Sequence, residues 1–85
     1  MTPTPLKIET AYKNVSTKVM KLTGFTEKEL SELNSMDYRE MMETVLDALD
    51  NRNNKVGTCW HNGYGVHTMW IRDGAVYVEI GRSCD

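Results

Sequence analysis

Cys59, His61, His67 and Cys84 supply every thiol and imidazole of this 85-residue sequence, so a zinc site or thiol chemistry would have to be assembled from them. A Cys-x-His pair on one strand could open a zinc site, since tetrahedral zinc accepts thiolate sulfur and imidazole nitrogen together. The spacing argues against it. Structural zinc sites close with short ligand pairs on both sides, whereas His67 stands alone and falls, in the strand register given below, on the opposite face from Cys59 and His61. Cys59 and His61 could instead act as a nucleophile and its base, pointing the same way along a strand. Residues two apart on a strand are nevertheless roughly 7 Å apart at Cα, and no third group is marked to orient the imidazole. Neither metal nor cofactor is expected, and the chain is read as non-enzymatic. With two cysteines it cannot make the disulfide framework of a small secreted domain, so both are expected to be reduced thiols.

Two further motifs resolve into ordinary structure. Asn62-Gly63-Tyr64-Gly65 has the glycines of a phosphate-cradling loop, but no helix follows on whose N-terminus a phosphate could rest, so it reads as a turn. Glu40, Glu43 and Asp47 line one side of a predicted helix without the convergence that acid-base chemistry needs. They are a solvated face or, alternatively, an acidic surface for a partner.

Trp70, Arg72 and Tyr77 are of the types enriched in binding hot spots, and Thr68 and His61 share their predicted face. That group is the candidate partner-binding surface. Aromatics on an open sheet could also stack single-stranded bases, but this wants several surrounding cations, and in this reading only Arg72 is near.

The element that positions these side chains is a hairpin. Two alternating apolar runs meet at Asp73-Gly74, a strong short-range turn signal. With those two residues as the loop, Arg72 pairs with Ala75, Ile71 with Val76, Trp70 with Tyr77, Met69 with Val78, Thr68 with Glu79 and His67 with Ile80. One face then holds Met69, Ile71, Val76, Val78 and Ile80; the other holds Thr68, Trp70, Arg72, Tyr77 and Glu79. A third strand is predicted over about 56–61, giving a three-stranded antiparallel meander with strands at about 66–72 and 75–81.

The N-terminal half reads as helical. Thr4-Pro5 has the form of a helix start, and Ile8, Tyr12, Val15, Val19 and Leu22 recur at helical spacing, which predicts a helix over about 5–23 that Gly24 stops. Thr26 and Glu29 have capping-box spacing and Phe25 and Leu30 that of a hydrophobic staple, which predicts a short helix over 27–33. Ser35 is placed to cap a third helix over 36–50, with Tyr38, Met41, Met42, Val45, Leu46 and Leu49 on its apolar side and a loop from Asp50 to Lys55. The expected architecture is therefore α+β in one domain, 1–85: three helices, the second short, on one face of the meander, with the Trp70 face left to solvent or to a partner.

Composition narrows the function classes. A net charge of −2 with 26% charged and 40% apolar residues describes a folded protein without the basic excess of a general nucleic-acid or membrane binder. The distribution is polarised: residues 1–25 carry +3, residues 26–50 carry −6 and the remainder +1. No apolar run reaches membrane-spanning length and no leader is visible, so a cytoplasmic location is expected. The sequence suits a small protein-binding accessory factor (inhibitor, adaptor or regulator) of the size that phages and mobile elements encode. The alternatives are a nucleic-acid-binding regulator using the basic first helix or the aromatic face, and a small enzyme or metal protein built on Cys59 and His61. The partner is expected to be another protein, with a second copy of the chain left open.

Overall fold

Asp73 and Gly74 have φ of 48° and 78°, the two positive values of a type I′ turn. The strands they join are those the alternation predicts, β3 (Val66–Arg72) and β4 (Ala75–Gly81) in chain order once two others have been made. Their pairing matches the predicted register from Arg72↔Ala75 to Thr68↔Glu79. It departs at His67, where a bulge sets Val66 rather than His67 opposite Ile80. A Cβ at Gly74 would meet nothing within 4 Å, so only backbone strain opposes a side chain there. Gly74→Val is therefore expected to cost about 1–2 kcal/mol and Asp73→Asn almost nothing, measured as shifts in the urea midpoint.

A computed structural model describes residues 4–53 and 65–81, and in it the N-terminal stretch is a second hairpin, not a helix. Strands β1 (Lys7–Lys13) and β2 (Thr17–Thr23) precede helices α1 (Glu27–Asn34) and α2 (Tyr38–Asn53), and β3 and β4 follow. All neighbouring strands are antiparallel, in the order β1-β2-β4-β3. The expectation of three helices on a three-stranded meander is thus replaced by two helices and a four-stranded sheet. The strand read over 56–61 lies outside the described residues.

The helical stripe misled for a physical reason. Ile8 and Leu22 do face a common core, but Tyr12 and Val19 pair with each other on the opposite sheet face, and Val15 sits 95% exposed at the turn. A β-bulge between Thr10 and Tyr12 shifts the alternation by one residue, which disguises period two as a longer repeat. Thr10, Tyr12, Thr17, Val19 and Thr23 are β-branched or aromatic, types that favour a pleated surface. The turn is closed by Asn14, whose backbone N–H donates to the Thr17 carbonyl (2.8 Å) and whose side-chain amide donates to the Thr17 hydroxyl (3.2 Å).

The helices follow their caps. Thr26 and Glu29 form the predicted capping box, each side chain accepting from the other's backbone N–H at 2.9 and 3.1 Å. Ser35 does not start α2 but ends α1, its hydroxyl donating to the Glu32 carbonyl at 2.7 Å. Asp37 is the cap, accepting from the Glu40 N–H at 2.9 Å, since a carboxylate beside the positive helix end outcompetes a hydroxyl already bonded behind it. The predicted loop from Asp50 is helical as far as Asn53.

Leu33, Met41, Val45 and Leu49 of the helices and Met20, Leu22, Met69, Val76, Val78 and Ile80 of the sheet form one core. Each fully buried aliphatic among them contributes about 1.5–3 kcal/mol. The end of α2 is fastened to the entrance of β1. Asn53 bonds both backbone groups of Leu6, at 3.0 and 2.8 Å, and Arg52 bonds the carbonyls of Thr4 (2.7 Å) and Gly24 (2.9 Å) while lying over the Phe25 ring. Gly24 has φ of 118°, and a Cβ there would stand 3.3 Å from the Leu6 side chain. Because strain and crowding add at that position, Gly24→Ala is expected to cost about 2–3 kcal/mol, more than Gly74→Val in the same urea titration.

Candidate functional site

Helices α1 and α2 cover one sheet face, so the other is the place where exposed side chains can be aligned by strand pairing. Directly opposed residues of antiparallel neighbours share a face, and the registers therefore lay out rows across all four strands. The central row runs Glu9, Lys21, Tyr77, Trp70, and the next runs Tyr12, Val19, Glu79, Thr68.

Trp70 and Tyr77 form an offset stack, their ring centroids 5.7 Å apart and their planes 6° from parallel. Both are half-buried, as are Lys21, Thr68 and Glu79 around them. Val19 and Ala75 have 0% and 1% exposure, so the middle of this face is shielded from water rather than left bare as the alternation alone suggests. Arg72 stands at the margin with its side chain 73% exposed, 3.5 Å from an equally open Asp73 carboxylate, a pairing worth little in water. Thr17 donates to Glu79 at 3.3 Å.

At the other margin, the Lys7 ammonium is 2.9 Å from Glu9. The hydrogen bond, and then the charge, raise the Lys7 pKa and hold the Glu9 carboxyl below its usual value, with Lys21 adding to the latter. Lys21 and Glu9 are missing from the sequence candidates because the helix predicted over about 5–23 covers both β1, which holds Glu9, and β2, which holds Lys21. The alternation Thr17, Val19, Lys21, Thr23 was the signal that could have placed Lys21 beside Tyr77.

Of the predicted partner-binding residues, Trp70, Tyr77, Arg72 and Thr68 do lie on one face, while His61 falls outside the described residues, as do Cys59 and Cys84. His67 is exposed at the bulge of β3. The basic first helix has no counterpart: Lys7, Lys13, Lys18 and Lys21 are distributed along two strands, and Lys18 is 6% exposed on the helix side, opposite Ile80. Glu40, Glu43 and Asp47 are all exposed on α2, spaced to share its outer side. Between α1 and α2 lies a small groove of about 100 Å³ lined by Phe25, Leu33, Met36 and Ala48 with Glu29 and Glu32 at its rim.

Among the described residues no three His, Cys, Asp or Glu side chains converge as metal ligands would, and no helix is long and apolar enough to cross a membrane. Comparison with protein-family models, curated proteins and solved structures found no match.

Proposed function

We propose that this chain is a small cytoplasmic protein that acts by docking on another protein, as an inhibitor, adaptor or regulator, through the sheet face bearing Trp70 and Tyr77. The observation that carries this reading is the Trp70–Tyr77 stack, held half-exposed between Lys21, Thr68 and Arg72 on the side the helices leave open. Rigid aromatics of this kind supply contact area at little entropic cost, and a cation at the margin adds orientation. The test is to recover the partner by co-purification from the native host and to measure its affinity for the parent, Trp70→Ala and Tyr77→Ala.

A second reading, single-stranded nucleic acid stacked on the same pair, gains support from Lys21 opposite Tyr77, a cation that the sequence alone did not bring there. Glu9 and Glu79 on the same face weigh against it, and a steep fall in affinity with salt would distinguish it from protein docking.

A further inference from the structure

The groove between α1 and α2 lies across the sheet from Trp70 and Tyr77, and the function proposed for that face makes no use of it. Phe25, Leu33 and Met36 form one wall, Thr44 and Ala48 the other. Thr44 and Ala48 are short side chains one turn apart on α2, and longer ones in their place would close the gap. At about 100 Å³ the groove is a fraction of the size of a drug-sized site, about 300–1,000 Å³, and has room for one aliphatic side chain.

Its floor is apolar and its rims are acidic. Glu29 and Glu32 stand on the α1 rim. On α2, Glu40 is one turn before Thr44 on the same stripe and Asp47 follows Thr44 by three residues, so both flank the groove. Glu29 is already engaged: it accepts from the Thr26 N–H and meets Arg52, whose guanidinium covers the Phe25 ring at one end of the groove. That end displays the chemistry the rest can repeat, a cation whose body rests on apolar surface while a carboxylate takes its charge. Glu32, Glu40 and Asp47 are exposed and make no ion pair among the described residues, within a segment, residues 26–50, that carries −6. We infer that the groove receives a lysine side chain of a partner protein, its aliphatic stem lying on Leu33, Met36 and Ala48 and its ammonium among the rim carboxylates. Lysine suits the site better than arginine, because the rim carboxylates stand on separate helices and offer a point charge its counterions rather than a guanidinium fork its paired acceptor.

The test titrates the full chain with Nα-acetyl-lysine methylamide at constant ionic strength and follows the methyl NMR signals of Leu33, Met36 and Ala48. Saturable shifts are expected, with a Kd of about 1–100 mM. Nα-acetyl-norleucine methylamide has the stem without the ammonium, and ammonium chloride has the charge without the stem; each is expected to bind at least about fivefold more weakly. Glu32→Gln and Asp47→Asn, both at exposed sites, are expected to remove most of the preference for lysine over norleucine with circular dichroism unchanged. Ala48→Leu, which fills the groove, is expected to abolish binding of both derivatives. Ala48 also packs against the core, and the rim variants decide the question by themselves if the leucine variant unfolds. Trp70→Ala is expected to bind the lysine derivative like the parent, which separates failure here from failure of the sheet-face reading. Equal affinity for the lysine and norleucine derivatives, tighter binding of spermidine than of the lysine derivative, shifts confined to rim residues while the three methyl signals stay put, or no binding up to about 100 mM would each overturn the assignment.

Discussion

Arg52→Ala is expected to destabilise the protein by about 3 kcal/mol, the largest loss from any single polar side chain among the described residues. The guanidinium is 12% exposed and serves three separated segments. Its Nε donates to the Thr4 carbonyl ahead of β1, one Nη donates to the Gly24 carbonyl after β2, and the other meets the Glu29 carboxylate of α1 at 3.4 Å. Glu29 is at the same time the acceptor for the Thr26 N–H in the capping box, so the cap of α1 and the end of α2 share one carboxylate. A charge-assisted hydrogen bond contributes about 1.5–3 kcal/mol and the cation over Phe25 about 1 kcal/mol. The freed carbonyls lie near the surface and regain water, which discounts the sum. Arg52→Lys is expected to recover less than half of the loss, because an ammonium cannot span carbonyls that a planar fork reaches together. Urea denaturation of the three proteins measures both effects, with the midpoint moving and the slope unchanged. A lysine variant as stable as the parent would show that charge, not fork geometry, joins these segments.

Trp70→Ala is expected to weaken partner binding by about 2 kcal/mol, roughly thirtyfold, while the folded fraction stays native by circular dichroism. Were the Trp70–Tyr77 stack only sheet packing, truncation would lower stability, and the protein that remained folded would bind as before. Tyr77 is on the inner strand β4, so Tyr77→Ala is expected to cost more stability than Trp70→Ala, and Arg72→Ala, at the open margin, to cost almost none. The three together separate packing from recognition. The competing surface is the outer side of α2, where Glu40→Lys, Glu43→Lys and Asp47→Lys would reduce affinity in a strongly salt-dependent way. If those reversals abolish binding while Trp70→Ala and Arg72→Ala bind like the parent, the docking surface is the helix.

The parts of this fold that were legible from sequence are those whose signals are local and redundant. At the β3–β4 hairpin a turn dipeptide and two alternating runs agree, and at α1 the capping box and the flanking apolar pair agree. The first 23 residues lack that redundancy. Their turn, Val15-Ser16 between Asn14 and Thr17, contains no glycine, and the bulge near Ala11 breaks the alternation that would have identified strands. Thr4-Pro5 then imitated a helix start. The aromatic pair was legible because it lies within one hairpin. Its neighbours Lys21 and Glu9 were not, since they reach it only through the pairing of β2 with β4, a contact between distant parts of the chain that no local pattern encodes.

That same pairing governs the order in which the molecule can be assembled. The innermost strands of the sheet, β2 and β4, come from opposite ends of the described chain, and the Thr17–Glu79 hydrogen bond that spans them joins residues 62 apart. Each hairpin can close locally within microseconds, as can each helix, yet neither hairpin buries its apolar side until the two meet across that long loop. Loop closure of this kind slows folding relative to a helical bundle of equal size. On the ribosome, where chains grow at about 5–20 residues per second, Met20 and Leu22 must wait several seconds for Val76 and Val78 to be made. During that interval the N-terminal hairpin is an exposed, partly apolar ribbon whose inner edge, on β2, has no strand to pair with until β4 is made.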